Sequence, residues 1–417
     1  EKIKAEIEYI ARRKLADLYI TDCNFGILKR DLEITKLLVQ ARRKFGYPKR
    51  VRIQFAKNSN DTVFEISHLL HTNDMLWGTT LSMQSVNDDV LAAVNRRQIG
   101  TRNYRLLKER YRRVGIPTYT ELILGLPQET RESFIDGICA LLDIGIHDDI
   151  RVYELALLPN APLSQQTTRK KYGLKTKIKS LRIPADHCEK EKVEIVFETD
   201  AMPYKDWAYC FLFGEIIQAL HNGAYTRQIA IYLNDTGQIP YKYFYNNLLD
   251  FMLSSKEKSH TAIKRVMALI DDYYHDPNMP QIHKILTQPD MLTFLLSYNP
   301  KRKGWRLWDY LWLSIGETKD EFYASLRKFL IREGIEVDQK IEDLLLYQKE
   351  LMLTLDYDPA IGTNVAYQFN WFDYFFNGKP LQKGLTTLLY TDTLLGITNR
   401  FELAIGDRRQ CINASIG

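Results

Sequence analysis

The segment LYITDCNFGI, Leu18 to Ile27, joins an apolar, strand-like run to three polar residues. Asp22, Cys23 and Asn24 stand where an apolar core should be closing, and RDLEITKLLVQARRKFG follows after a short turn. The apolar residues of that second segment recur mostly at helical spacing, and a glycine and a proline end it. The sequence therefore predicts a β-strand that carries polar side chains at its carboxyl end, followed by a helix.

This strand–helix pattern repeats over the first part of the chain. Further strand-like segments are VRIQFA, LWGTTLSMQS, TYTELILGLP and IRVYELALLP, with helical segments between them. Such alternation is typical of parallel βα units. After about residue 200, long helical segments rich in Tyr and Phe follow without regular strands. We therefore expect an α/β domain over residues 1–200 and a mainly α-helical domain over residues 201–417.

The composition limits the class of protein. The chain is 45% hydrophobic and 26% charged, as in ordinary globular proteins, and its net charge of +5 permits a nucleic-acid partner without indicating one. No apolar run is long enough to cross a bilayer, and the five cysteines are too scattered for a disulfide framework. We expect a cytoplasmic protein with no membrane association and no nucleic-acid partner.

Four of the predicted strands end in polar or glycine-bearing sequences, namely TDCNFG, SMQS, LILGLPQET and LALLPN. In α/β folds, ligands bind at the carboxyl ends of the strands. Asp22 and Asn24 suit an ammonium or carboxylate group, and Ser82 and Gln84 suit sugar hydroxyls. Gly125 lets a flat ring approach the backbone, because it has no Cβ. The set predicts a nucleoside-sized ligand with an amino-acid appendage. Residues that serve only turns and helix caps are the alternative.

Several stretches in this order match one family: DCNFGI, the RD at residues 30 and 31, LSMQSVNDDVLAAVNRR, TELILGLPQETRESF and VYELALLPNAPL. They resemble the radical S-adenosylmethionine (SAM) superfamily, and within it the branch with an N-terminal cobalamin-binding domain. The resemblance covers roughly residues 5–200. It implies a partial (β/α)6 TIM-type barrel in which SAM ligates a [4Fe-4S] cluster. Reductive cleavage of SAM would give a 5′-deoxyadenosyl radical that abstracts hydrogen from a substrate.

The resemblance also implies binding residues and partners. The strand with Asp22 and Asn24 matches the one that contacts the SAM amino group. Small-molecule or peptide substrates, an electron donor for the cluster, and cobalamin as a further cofactor belong to the same expectation. The residues matching the ribose-contacting strand are Ser82 and Gln84, and those matching the adenine-binding wall are Ile123, Gly125, Leu157 and Leu158.

One departure from the family concerns the iron–sulfur cluster. The family's CxxxCxxC motif is absent from this sequence, so the first strand found here corresponds to the family's second. We expect the chain to be a fragment, with the first barrel strand and the cluster cysteines upstream of Glu1. The chain itself is then expected to contribute no metal ligand. Because alternation turns Cys23 away from its neighbours, we expect it to be a bystander.

Three hypotheses for function follow. The first is a radical SAM enzyme in its full-length form, whose catalytic residues the sequence does not identify. The second is a cluster-free, non-catalytic SAM- or nucleoside-binding or scaffold protein on the same barrel. The third is a cofactor-independent enzyme that uses Asp22 and Glu121 as acid and base, although we expect alternation along the strand to turn Glu121 away from the ligand. His68 and His71 are three residues apart on a predicted helix and are expected to lie on an exposed face without a metal.

Overall fold

The computed structural model describes the chain except for residues 57–60, 77, 97–99, 148, 181–191, 276–285, 287, 299–304, 352–362, 392–409 and 414–417. The chain divides into two compact units. The first comprises Glu1–Ile123 and Ile144–Tyr153, and the second comprises Leu124–Asp143 and Glu154–Gly417. The predicted domain division at residue 200 stays a prediction.

The first unit alternates helices and strands. Strands β4 and β5 lie in it apart from their last residues. Its helices are α1 (Lys2–Arg12), α2 (Lys29–Phe45), α3 (Asp61–His71), α4 (Asp88–Ala93) and α5 (Thr101–Arg113). The strands are β1 (Asp17–Phe25), β2 (Arg50–Phe55), β3 (Thr79–Thr80), β4 (Thr118–Leu124) and β5 (Ile150–Glu154).

Strands β1 and β2 form a parallel pair in which Leu18 lies beside Val51 and Ile20 beside Ile53. The apolar sides of α1, α2 and α3 pack into one core with this pair. Leu38 of α2 and Val63 of α3 are buried in that core. Apolar alternation in the strands and helical spacing between them therefore produce the predicted βα pattern.

The second sheet of this unit has the order β3-β4-β5. Strand β3 runs parallel to β4. Beyond β3, the rest of the predicted strand LWGTTLSMQS pairs with β4 through an isolated bridge between Gln84 and Leu122. Along β4, fully and partly buried residues alternate strictly. Tyr104 of α5 packs behind this sheet, where its hydroxyl donates to the Leu81 carbonyl at 2.8 Å. The fold is α/β, as expected; the partial barrel stays a prediction, because the described strands form separate sheets of two and three strands.

The second unit is rich in helices. They are α6 (Arg131–Asp143), α7 (Gln166–Lys171), α8 (Tyr204–Ile216), α9 (Arg227–Asp235), α10 (Tyr241–Ser254), α11 (Thr261–His275), α12 (Pro289–Tyr298), α13 (Leu307–Glu317), α14 (Lys319–Arg332), α15 (Gln339–Leu351) and α16 (Trp371–Asn377). A π-helix spans Ile217–Asn222, and 3₁₀ turns span Pro162–Ser164 and Lys258–His260. The strands are β6 (Ala156–Leu157), β7 (Lys175–Ser180), β8 (Lys192–Glu198), β9 (Thr363–Phe369), β10 (Lys383–Thr391) and β11 (Gln410–Asn413).

These strands form two antiparallel sheets, in the orders β6-β8-β7 and β11-β10-β9. The sequence did not predict the sheet made by β9, β10 and β11, so the C-terminal part is less purely helical than expected. Strand β7, KTKIKS, has a lysine at every second position, which is the composition of an edge strand rather than of a half-buried one. Such strands lack the apolar alternation on which the prediction relied.

Helix α8 is buried along most of its length and carries apolar residues on all its sides. Trp207, Cys210 and Phe213 are each at most 1% exposed. Cys210 and Cys139 of α6 are small core residues, and burial raises the pKa of both thiols. Neither is suited to act as a thiolate.

Asp343 of α15 holds together three elements near the end of the chain. Its carboxylate accepts hydrogen bonds from the backbone N–H groups of Gln368 and Phe369 and from Trp371 Nε1, at 2.8 to 3.2 Å. The side chain is buried, so these donors satisfy a charge that water does not reach. One carboxylate thus fixes β9 and α16 against α15.

Among the described residues, no helix combines the length and the apolar character needed to cross a lipid bilayer.

Candidate functional site

The carboxyl end of β1 presents Asp22 and Asn24 to solvent. The Asn24 backbone N–H donates to Asp22 Oδ1 at 2.8 Å, which orients the carboxylate toward the backbone of Asn24. The side chain of Cys23, expected to be a bystander, lies outside the described part of the chain. The carboxyl end of β1 therefore exposes a carboxylate and an amide side chain that can contact a ligand.

Asp31, in the first turn of α2, stabilises the loop that follows the carboxyl end of β1. Its Oδ2 atom accepts hydrogen bonds from the N–H groups of Gly26 at 2.8 Å and Leu28 at 3.1 Å, and the residue is 2% exposed. Gly26 has φ of +102°, and a Cβ there would lie 2.6 Å from Val63 Cγ2. The sequence identified the motif RD but gave Asp31 no role, because the role depends on its burial.

The end of the third predicted strand is irregular. Both Met83 and Gln84 donate their N–H groups to the Glu121 carbonyl, at 3.2 and 2.8 Å, and the Gln84 carbonyl accepts from Ile123 N–H at 2.8 Å. Two residues thus oppose one, as in a β-bulge, and Gln84 has a φ of +59°. A positive φ in a residue other than glycine stores strain and is typical of functional positions. The bulge sets the direction of the Gln84 side chain.

Glu121 was named from the sequence only as an acid or base of a cofactor-independent enzyme, not as a residue that binds SAM. Ser82 Oγ donates to Glu121 Oε2 at 2.6 Å. Strict alternation along β4 places Glu121 on the same partly buried face as Tyr119 and Ile123. The signal was available in the sequence, since Glu121 is two residues from Ile123 and therefore shares its face.

A second polar group lies on this face, nearer the start of the strands. The Arg151 guanidinium lies 4.1 Å from the centre of the Tyr119 ring and donates to Asp149 Oδ2 from Nε at 2.9 Å and from Nη2 at 2.6 Å. Burial raises the pKa of Tyr119 above its usual value. Because Asp149 neutralises Arg151, this group ties β5 to β4 and adds no net charge to the face.

The remaining predicted residues lie in the second unit, and they differ in exposure. Leu157 is 4% exposed and lies in β6, which pairs with β8, whereas Leu158 is 60% exposed. Gly125 has a φ of +93°, and a Cβ there would lie 3.3 Å from the Val196 carbonyl oxygen and 3.5 Å from Trp207 Nε1. The protein itself therefore occupies the space on that side of Gly125.

A metal site is not formed by the described residues, among which no three His, Cys, Asp or Glu side chains are grouped to hold an ion. The His68 ring stacks on Phe64, with ring centres 6.0 Å apart and planes 4° apart. The donor set on the first unit instead suits an organic ligand, because it combines carboxylates, a hydroxyl and amides.

No protein-family model matches the chain. The cobalamin-dependent radical SAM methyltransferase TokK of Streptomyces tokunonensis is 43% identical over 425 residues, which cover 100% of this chain and 62% of TokK. The 2-(S-pantetheinyl)-carbapenam-3-carboxylate methyltransferase of Streptantibioticus cattleyicolor is 42% identical over 425 residues, with the same coverage of 100% and 62%. The chain is homologous along its whole length to TokK, which is named as a cobalamin-dependent radical SAM methyltransferase, and to a second methyltransferase.

This radical SAM homologue spans 62% of the length of both curated relatives. Among solved structures, the radical SAM methyltransferase TsrM from Kitasatospora setae, with tryptophan and a SAM analogue bound, is 16% identical with a TM-score of 0.36. That match covers 49% of this chain and 44% of the TsrM chain. The relation to the methyltransferases rests on the two sequence relatives.

Proposed function

We propose that the chain is the SAM-binding part of a cobalamin-dependent radical SAM methyltransferase on a partial (β/α)6 barrel. The observation that carries the proposal is the 43% identity with TokK along the whole chain. SAM, a [4Fe-4S] cluster and cobalamin would supply the radical and methyl-transfer chemistry. The CxxxCxxC motif is absent from these 417 residues, so we assign the cluster to the whole protein. A cytoplasmic location belongs to the same proposal.

The first unit supports this with a donor set that fits SAM. The Asp22 carboxylate and the Asn24 amide suit the amino-acid end, since a carboxylate stabilises an ammonium group and an amide can bond either end. Ser82 and Glu121 offer a hydroxyl and a carboxylate for the ribose hydroxyls, and the bulge directs Gln84 toward the same task. Their mutual hydrogen bond of 2.6 Å holds Ser82 and Glu121 in place before a ligand arrives.

For adenine we propose the apolar residues at the ends of later strands. Ile123 shares the partly buried face of β4 with Glu121, which places an apolar side chain next to the proposed ribose residues. For Gly125, Leu157 and Leu158, the assignment to adenine binding comes from the family resemblance, residue by residue. Leu158 is the more accessible of the two leucines, because Leu157 is buried.

The substrate we propose is a small molecule. The relative from Streptantibioticus cattleyicolor is named for 2-(S-pantetheinyl)-carbapenam-3-carboxylate. At 42% identity over the whole chain, a bicyclic β-lactam carboxylate with a thioether-linked side chain is the first substrate class to test. The reaction would replace a C–H bond of that substrate with a C–CH₃ bond, and an external one-electron donor would be required.

A cluster-free SAM-binding or scaffold protein is the second candidate. The observation in its favour is the absence of the CxxxCxxC motif from the chain. Anaerobic reconstitution of the complete gene product separates the two, followed by iron and sulfide analysis and detection of 5′-deoxyadenosine after SAM and a reductant are added. Loading of iron and sulfide with formation of 5′-deoxyadenosine supports the enzyme, and the absence of a cluster leaves the scaffold.

Substitutions in the donor set test the site. Ser82→Ala and Glu121→Gln should each raise the SAM concentration needed for half-maximal 5′-deoxyadenosine formation. Ser254→Ala is the matched control, because that hydroxyl bonds only to carbonyls of its own helix. Equal effects of all three substitutions would contradict the assignment of Ser82 and Glu121 to SAM.

A further inference from the structure

The segment around Gly125 belongs to the second unit of the fold. Leu124–Asp143, which contains Gly125 and helix α6, groups with the helical C-terminal residues rather than with the rest of β4. Within this unit α6 packs on α8 and α10. Gly125 is thus grouped with the helices of the second unit.

Specific contacts attach α6 to its neighbours. The Arg131 guanidinium lies 3.5 Å from the centre of the Tyr209 ring of α8, and Cys210 Sγ lies 3.8 Å from the Arg131 carbonyl oxygen. Lys242 of α10 pairs with Asp136 at 2.6 Å. Thr130 caps α6 through its Oγ1, which accepts from the Ser133 N–H at 3.1 Å. The start and the middle of α6 are therefore held by the same two helices.

Trp207 of α8 makes the contact with Gly125 itself. The indole is 1% exposed, and the atoms nearest a Cβ built on Gly125 include its Nε1 at 3.5 Å and Cδ1 at 3.7 Å. Nε1 is buried without a hydrogen-bond acceptor among the described residues. A buried N–H left without an acceptor is costly, so the indole is placed for its shape rather than for a hydrogen bond. A Cβ at residue 125 would be in ordinary van der Waals contact with the five-membered ring, so this ring lies directly beside the turn.

We propose that Trp207 is a positioning residue for SAM. It supports the left-handed turn at Gly125, and through that turn it affects the affinity for SAM. This rests on the proposed function only for the identity of the ligand. The contact has a consequence that can be measured without any ligand, because a looser turn exposes the backbone N–H groups within residues 125–129 more often, Pro127 having none.

The test compares Trp207→Phe with Phe213→Leu. Phenylalanine keeps an aromatic ring but lacks the five-membered ring that contacts Gly125. Phe213 lies on the same helix, is 0% exposed, and serves as the control for general loosening of the core. Hydrogen exchange of residues 125–129 is measured on the full protein without SAM, and the SAM dissociation constant on the reconstituted holoenzyme.

Trp207→Phe should speed exchange at residues 125–129 about tenfold and weaken SAM binding about fivefold, with a smaller effect on kcat. Phe213→Leu should lower the melting temperature while changing both quantities less than about twofold. Similar effects of the two substitutions, or no effect of Trp207→Phe, would overturn the inference. If wild-type holoenzyme does not bind SAM, the proposed function fails, while the exchange data still decide the role of Trp207.

Gly125→Ala perturbs the same pair of residues at Gly125, and it is the alternative test if Trp207→Phe folds poorly. It adds a Cβ at a φ of +93° and 3.5 Å from the indole nitrogen. Exchange at residues 125–129 should increase in this variant, and adding Trp207→Phe should increase it by less than the sum of the two single effects. Strict additivity would show that the two residues do not act through one contact.

Discussion

Replacing the buried Asp31 should destabilise the first unit more than replacing its exposed neighbours in the sequence. The carboxylate accepts two backbone N–H groups on one oxygen, at 2.8 and 3.1 Å, and is 2% exposed. Hydrogen bonds to charged groups contribute about 1.5–3 kcal/mol each, and a buried N–H left without an acceptor costs about 1–3 kcal/mol. Asp31→Ala removes the acceptor from both donors, so we expect a loss of about 3–4 kcal/mol in the free energy of unfolding.

Asp31→Asn separates shape from charge. An amide oxygen can take the place of Oδ2 and accept both N–H groups, but it lacks the negative charge that suits the first turn of a helix. The expected loss is therefore about 1–2 kcal/mol, smaller than that of the alanine variant. Urea denaturation gives the free energies, and hydrogen exchange reports whether the Gly26 and Leu28 amides lose protection.

The two variants also test the link to the ligand. If Asp31 holds the turn behind Asp22 and Asn24, SAM binding should weaken in the same order as stability, with alanine worse than asparagine. The reasoning is refuted if the two variants lose equal stability, or if the Gly26 and Leu28 amides stay protected in Asp31→Ala. Lys36→Ala is the control, because it removes an exposed pair with Glu33 on the same helix.

Three further predictions follow from single side chains. Glu121→Gln and Ser82→Ala should each raise the KM for SAM about 5- to 30-fold, which corresponds to about 1–2 kcal/mol of lost hydrogen bonding. In the double variant the increase in KM should be smaller than the product of the two single increases. The kinetics of 5′-deoxyadenosine formation measure all three. Burial lowers the pKa of His260 to about 4. The unfolded chain, with a pKa near 6.5, therefore binds the proton first, and stability should fall by up to about 3 kcal/mol between pH 6.5 and 4. His260→Phe should flatten that decline in urea titrations at several pH values. Asp343→Ala should lower the free energy of unfolding by about 3 kcal/mol, because it leaves the Trp371 indole N–H and two backbone N–H groups without their acceptor. A melting temperature that stays within a degree or so of wild type would contradict this.

The elements that the sequence predicted well are those whose own residues specify them. Alternation in β2 and β4, and helical spacing in α2 and α6, are local properties, and both survive in the fold. Thr130 caps α6, as is typical of a threonine just before a helix, and accepts from the Ser133 N–H. The sheet of β9, β10 and β11 was missed because its strands lie between helical segments and are held from a distance, in part by Asp343.

The site residues divide in the same way. Asp22, Ser82 and Gln84 could be named because polar residues at the ends of strands are visible in the sequence. The role of Asp31 could not be predicted, since it depends on the burial of that residue. Glu121 was named as an acid or base, but its hydrogen bond with Ser82, 39 residues away, was not predicted. Gly125 was expected to make room for a flat ring, but its neighbours are the Val196 carbonyl and Trp207, which no local pattern connects to it.

One measurement tests the central claim most directly. The complete gene product is reconstituted anaerobically and incubated with a reductant, 2-(S-pantetheinyl)-carbapenam-3-carboxylate and SAM that carries a deuterated methyl group. The account predicts 5′-deoxyadenosine together with a substrate that has gained the deuterated methyl group, and loss of both in the Glu121→Gln, Ser82→Ala double variant at low SAM. A cluster-loaded protein that binds no SAM and forms neither product would contradict it.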